Sequence, residues 1–284
     1  MPTLTLGFSP CPNDTYIFHA LVNGLIDTGN LRFEPVMADV EELNGMSAEG
    51  KLDVTKLSIG AYPQVSNRYV ILDAGAALGK GVGPLLVKKP GTTMEAVESG
   101  LVAIPGKRTT ANFLLSLFYP QIRNKKELIF SDIDKSVKDG TVTAGLLIHE
   151  GRFTYQSHGL ELISDLGLVW EHSTGKPLPL GVIAANRKLE PEVARQISDL
   201  IRESIFYARM HPDASKKYIR NHAQEMDENV TQSHIKLYVN EYSVDLGAEG
   251  KAAIFELFET GKANKLTGVA AADIFLNYQK TTNT

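Results

Sequence analysis

The sequence predicts an α/β protein of two lobes around a cleft, and three observations carry that expectation. Strand-like apolar runs alternate with helix-like periods along most of the chain, which is the pattern of sheets covered by helices. With 284 residues the chain exceeds the usual size of a single core, so two lobes are expected. Two similar extended segments, Val82-Gly83-Pro84-Leu85-Leu86-Val87 and Leu178-Pro179-Leu180-Gly181-Val182-Ile183-Ala184-Ala185, flank a block with its own strand-helix alternation. Segments leading into and out of an inserted lobe make a two-stranded hinge with a central cleft beside it. The expected division is a larger discontinuous lobe of residues 1–87 with 181–284, and a smaller inserted lobe of residues 88–180 that carries His149.

In chain order, Leu4 to Phe8 reads as the first strand, and Ser9-Pro10-Cys11-Pro12-Asn13-Asp14-Thr15 as a stiff turn. Asn13 or Asp14 is the expected cap of a helix from Thr15 to about Asn23, which Gly24 stops. Leu31 to Met37 is a strand, Asp39 caps a helix to Glu49, and Gly50 ends it. Val54 to Ile59 and Tyr69 to Leu72 are further strands. In the inserted block, Leu101 to Ile104 is a strand, Pro105 to Thr110 a turn, and Ala111 to Tyr119 a helix stopped by Pro120. Leu128 to Phe130 is expected to begin a strand, and Asp132 or Asp134 to cap the helix that ends at Gly140. The strand carrying His149 follows, then a strand from Leu160 to Leu166 and a turn from Trp170 to Lys176. Pro191 opens a long helix with a 3.6 period up to His211-Pro212, and Asp213 and Asp227 are expected caps for two more. Ile254, Leu257 and Phe258 line one face of the last helix.

Composition excludes several classes of function. Hydrophobic residues make up 43% of the chain, enough for packed cores, and the formal net charge is -4 with no Lys/Arg block. A nucleic-acid surface needs clustered positive charge, so none is expected. No apolar run approaches the ~20 residues that span a bilayer, and no basic n-region precedes Leu4, so a chain without leader or membrane partner is expected. The one cysteine, Cys11, cannot form an internal disulfide, which fits a reducing cytoplasm. Gly79, Gly81 and Gly83 lack the spacing and following helix of a nucleotide fingerprint.

The candidate chemistry centres on Ala144-Gly145-Leu146-Leu147-Ile148-His149-Glu150, an apolar run ending at a histidine. A buried strand of this kind opens at its C-terminal end onto the crevice where open α/β sheets bind ligands. An imidazole there, with an unperturbed pKa of about 6.5, can take a proton at neutral pH. The competing reading is a strand-end histidine bonded to a loop carbonyl. Lys56, inside an apolar run, either sits on an exposed strand end or faces an anion. The turn Gly106-Lys107-Arg108-Thr109-Thr110 offers helix N–H groups and two hydroxyls for a carboxylate or phosphate, unless Thr109 or Thr110 is merely a cap. No metal-ligand spacing and no G-x-S-x-G elbow is present, and Cys11 between prolines suits a packed thiol. His211, His222 and His234 read as surface or structural.

Four segments together resemble the 1,4-dihydroxy-6-naphthoate synthases of the futalosine route to menaquinone. They are Ser9 to Thr15, Thr55-Lys56-Leu57-Ser58, Gly106 to Ala111, and Ile148-His149-Glu150-Gly151-Arg152-Phe153-Thr154-Tyr155. Arg108 is a departure, since some relatives carry histidine there. The resemblance implies a fold like the type II periplasmic binding proteins and a lyase that converts cyclic dehypoxanthinylfutalosine to 1,4-dihydroxy-6-naphthoate and dihydroxyacetone. It implies His149 as general base, with Lys56, Leu57, Ser58, Thr109 and Thr110 lining the substrate site. Asn13 or Asp14 is expected to orient the substrate from the opposite lobe, and Arg152 joins the substrate-facing set. The small-molecule substrate is the only partner implied, and neither cofactor nor metal is. The competing class is a non-catalytic cytoplasmic binding module for a small carboxylic acid, which would share the fold without the chemistry.

Overall fold

A computed structural model of the chain describes residues 3–223, 227–268 and 270–276. From the N-terminal side, β1 (Thr3–Phe8), α1 (Pro12–Val22), β2 (Arg32–Met37), α2 (Val40–Glu49), β3 (Val54–Ser58), β4 (Tyr69–Ile71) and β5 (Ala77–Gly79) begin one sheet and its cover. A second sheet and its helices come from β6 (Leu85–Lys88), α3 (Met94–Ser99), β7 (Val102–Ile104), α4 (Thr110–Phe118), β8 (Lys125–Glu127), α5 (Phe130–Lys138), β9 (Ala144–Leu147), α6 (Gly151–Thr154), β10 (Glu161–Asp165) and α7 (Leu166–Thr174). The chain returns through β11 (Leu178–Asn186) and continues in α8 (Pro191–Met210), α9 (Lys216–His222), α10 (Glu228–Tyr238), α11 (Glu241–Val244) and α12 (Gly247–Ala263).

The first sheet has the order β2-β1-β3-β11-β4, with β5 on β11. β1 runs parallel to β2 and β3, and β11 is antiparallel to β3, β4 and β5. Pro35 lies in β2, at the sheet edge, where a missing N–H is tolerated. The second sheet has the order β10-β6-β9-β7-β8. β9 is parallel to β7 and antiparallel to β6, so the strand leading to His149 sits inside a mixed sheet rather than a wholly parallel one.

Two connections join the sheets, but their pairing differs from the sequence expectation. Leu85 to Val87 pair with β9 and β10 in the second sheet, whereas Leu178 to Ala185 pair in the first. The paired strands at the exchange are β5 and the start of β11, with Gly79 opposite Leu178. The chain therefore crosses between Gly79 and Leu85, a few residues before the expected boundary at 87. Apolar, Pro/Gly-punctuated composition marks both segments as buried strands without saying which neighbour each one finds.

Three local expectations also change. α1 starts at Pro12 with Cys11 at its N-cap, so Asn13 and Asp14 lie inside its first turn. Proline at the first helical position supplies the right φ and lacks an N–H that would be orphaned there. The stretch from Trp170 to Lys176 is mostly α7, because Asp165 accepts from the N–H groups of Gly167 and Leu168 and buries Trp170 along the helix. The strand expected from Leu128 is instead the charged edge strand β8, and α5 begins at Phe130 with Ile129, not an aspartate, at its N-cap. Charge on an edge strand hides it from an apolar-run reading while protecting the edge from further pairing. In the same way Ser215, not Asp213, stands at the N-cap of α9.

Apolar packing lies on both faces of the first sheet. Leu6, Phe8 and Ile183 pack with Ile17 and Phe18 of α1 and Ile197 and Ile201 of α8. A second cluster runs continuously from Leu57 and Val182 through Leu114 and Trp170 to Leu86 and Val102, binding the two sheets together. Ile133 and Val137 of α5 cover the far side of the second sheet with Val87 and Ala103. The two sheets thus meet over shared core, and the cleft opens beside it.

Candidate active site

A cleft open to solvent lies between the sheets, the kind of place where small-molecule sites form. Strand ends and helix starts from both halves line it, including Ser9, Asp14, Lys56, Ser58, Thr110 and His149. This follows from chain direction: β1, β7 and β9 lead into the segments that line this mouth, and β3 ends there at Ser58.

On one wall the buried Asp14 carboxylate is fully occupied. Its Oδ2 accepts from the Ser9 N–H at 3.1 Å and the Ser9 hydroxyl at 2.7 Å. Its Oδ1 accepts from Asn13 Nδ2 and Lys56 Nζ, both at 2.8 Å. Lys56 therefore faces an anion, as one of the two sequence alternatives holds, but the anion is a carboxylate of its own chain. An ammonium has three N–H donors, and among the described residues Asp14 takes one of them, so two remain for a ligand in the cleft. Glycine at 181 leaves room for the lysine stem, since a Cβ there would approach Lys56 Cε to 3.3 Å. Ser58 is held at both ends by Asn44, whose Oδ1 accepts from the Ser58 N–H at 2.9 Å and whose Nδ2 donates to the hydroxyl at 3.0 Å. The Ser58 hydroxyl keeps its own hydrogen to give.

From the other half, the β7–α4 turn presents a helix start, and here the cap reading holds for the side chains. The Thr109 hydroxyl donates to Gly106 O at 2.8 Å and accepts from the Asn112 N–H at 3.2 Å. The Thr110 hydroxyl donates to Leu180 O at 2.6 Å and accepts from the Gly60 N–H at 3.1 Å, which ties α4 to the first sheet. Both hydroxyls are spent. What this turn offers a ligand is the pair of N–H groups at Thr110 and Ala111 in the first turn of α4, with the positive end of the helix behind them.

His149 lies two residues beyond β9, in a turn, with φ at +52°, a region that side chains other than glycine rarely enter. Among the described residues its imidazole has no hydrogen-bond partner, so it is not the strand-end histidine tied to a loop carbonyl. Phe130 meets it edge-on at 4.9 Å between centroids, and His234 stacks on it at 5.9 Å with 11° between planes. Burial, reinforced by the Lys56 cation and opposed by Asp14, lowers the His149 pKa to about 4. At neutral pH the ring is uncharged and keeps a lone pair, the state a proton acceptor requires.

Arg152 does not join the cleft lining. Its guanidinium donates to Gly83 O and to Asp165 Oδ2, each at 2.6 Å, and so braces the cleft wall at Gly83 from behind. Cys11 is a buried N-cap whose pKa is raised, by burial first and the Glu150 carboxylate second, which suits a packed thiol. His234, read from sequence as surface or structural, is fully buried and donates from Nε2 toward Asn13 Oδ1 at 2.9 Å. Its spacing from Tyr238, one helical turn on, puts both on the buried face of α10, and that was the available signal.

Two sheets joined by two crossings, with a mostly apolar cleft at the strand ends into which a few polar groups converge, define a protein built like the periplasmic solute-binding proteins. The periplasmic aliphatic sulphonate binding protein of Escherichia coli superposes with a TM-score of 0.67 at 14% identity, covering 98% of this chain and 93% of that one. The chain belongs to the menaquinone biosynthesis family, whose pattern matches residues 4–263. It is 47% identical over 97% of its length to the whole of a 1,4-dihydroxy-6-naphthoate synthase of Thermus thermophilus. It is 40% identical over 95% of its length to 97% of a like-named enzyme of Streptomyces coelicolor. Among the described residues no helix is long and apolar enough to cross a membrane.

Proposed function

We propose that the chain is a carbon–carbon lyase that converts cyclic dehypoxanthinylfutalosine to 1,4-dihydroxy-6-naphthoate and dihydroxyacetone, with His149 as the general base. The observation that carries this reading is the uncharged, unbonded imidazole of His149 in a cleft whose opposite wall holds the Lys56 cation. Breaking a carbon–carbon bond while a ring becomes aromatic needs a base to take a proton and donors to hold the oxygen that gains charge. His149 accepts the proton. Lys56 Nζ, the Ser58 hydroxyl and the N–H groups of Thr110 and Ala111 hold the substrate carboxylate and oxygens. Leu57 packs beside them, and Asn13 and Asp14 act through Lys56 rather than on the substrate.

The same reading includes a cytoplasmic location and a division into a discontinuous larger lobe and an inserted smaller one that close over the substrate. It is tested by mixing purified protein with the cyclic precursor and following the naphthoate by mass spectrometry. Product from the native chain and its loss in His149→Ala support the reading. Tight retention of the acid with no product would favour a binding module instead.

A further inference from the structure

We propose that His234 is a positioning residue for His149: its ring backs the His149 imidazole, and the Lys56–Asp14–Asn13 chain fixes the tautomer in which it does so. The tautomer follows from donors and acceptors. A carboxylate accepts and cannot donate, so the 2.8 Å contact from Asn13 to Asp14 must come from the amide NH2. The Asn13 amide oxygen therefore faces His234, and the 2.9 Å contact there requires a proton on His234 Nε2. Nδ1 is left with its lone pair, buried and without a hydrogen-bond partner among the described residues.

A second proton on His234 would place a charge in a fully buried site with no acceptor for it among the described residues and with Lys56 nearby, so the ring stays neutral. It forms an uncharged flat wall 5.9 Å from His149 and nearly parallel to it. That wall matters because only aromatic packing holds the His149 ring among the described residues. The residue sits at φ +52°, its imidazole makes no hydrogen bond among the described residues, and the ring's orientation rests on His234 on one side and Phe130 on the other. The charged groups acting on His149 are Asp14 from α1 and Lys56 from β3, and His234 from α10 faces it as a ring contact, with Tyr238 at 4.7 Å behind His234. Removing the wall admits water to one face of the base, which relieves the burial that depresses its pKa.

This inference rests on His149 being the base, so the experiment carries His149→Ala beside His234→Ala, His234→Phe and His234→Gln. Each is assayed for kcat, KM and the acidic limb of kcat/KM on naphthoate formation. His234→Ala is expected to lower kcat by about 10- to 100-fold through misplacement of the base, with KM within about 3-fold because His234 does not line the cleft. Its acidic limb moves up toward the ordinary histidine range. His234→Phe restores a flat wall and brings the limb back, while His234→Gln keeps a donor for Asn13 without a ring and does not. If the alanine variant fails to fold, the Phe and Gln pair decides. An unchanged limb and kcat in folded His234→Ala, a rise in KM alone, or the same limb in Phe and Gln overturns the inference. Undiminished turnover in His149→Ala removes the base assignment itself. An inactive His149→Ala beside indifferent His234 variants removes only the role of His234.

Discussion

Nζ of Lys56 lies 2.8 Å from Oδ1 of Asp14, with both side chains buried. Removing one member of a buried pair leaves an uncompensated charge, so Lys56→Met and Asp14→Asn should each cost about 3–5 kcal/mol in urea denaturation. The double variant should recover much of that loss and none of the activity, because the cation facing the cleft is gone. A double variant whose loss equals the sum of the two single losses would mean that the two charges are not coupled.

The pH dependence follows from the low pKa of His149. In the free enzyme the base is deprotonated throughout the neutral range, so kcat/KM should stay flat down to weakly acid pH and fall as pH drops through about 4. Stability has a matching sign. Between about 6.5 and 4 the unfolded chain binds a proton that the folded chain refuses, so stability rises with pH across that window and is lost toward its acid end. The melting temperature of His149→Asn should therefore depend less on pH there than that of the native chain. A kcat/KM limb near 6.5 would show a solvated imidazole.

Gly83 and Gly167 touch through their backbones where the cleft wall meets α7. A Cβ on Gly83 would run into the Gly167 N–H, and one on Gly167 would come within 2.6 Å of Gly83 Cα. Gly83→Ala should cost about 1–3 kcal/mol or more by overpacking, since backbone cannot step aside as a side chain can. Thermal melting of the purified variant checks this, and an unchanged midpoint would show slack in this crossing.

Across the cleft, the Glu41 carboxylate of α2 accepts from the Arg108 N–H at 3.0 Å and from its guanidinium at 3.1 Å. Gly106 is required beside it, for its φ is +153° and a Cβ there would strike the Glu41 carboxylate. Glu41→Ala should raise KM several-fold with little change in kcat. Its effect on stability should stay within about 1 kcal/mol, as for other partly exposed pairs. Steady-state kinetics at two salt concentrations would check it, and an unchanged KM would show that this contact does not help hold the halves together.

The strands and most helices were legible because their apolar periods and caps are local, as at Leu4–Phe8 and at the Asp39-to-Gly50 helix. What escaped was decided by distant partners. The charged strand β8 is readable only once its edge position is known, and α7 only once Trp170 is seen to be buried. The site shows the same divide. Lys56 and Ser58 within an apolar strand and His149 just after one were recognisable, whereas the spent hydroxyls of Thr109 and Thr110 and the bracing role of Arg152 depend on carbonyls at Leu180, Gly106 and Gly83. His234 reaches the site from a helix that follows β11 and its long companion α8, and no local pattern announces that it will meet His149.

The most direct test of the account is single-turnover formation of the naphthoate from the cyclic precursor by the native chain and by His149→Ala. The account predicts product from the native chain, a fall of about 10² to 10⁴ in rate for the variant, and little change in substrate affinity. Turnover by His149→Ala within a few-fold of the native rate would contradict it.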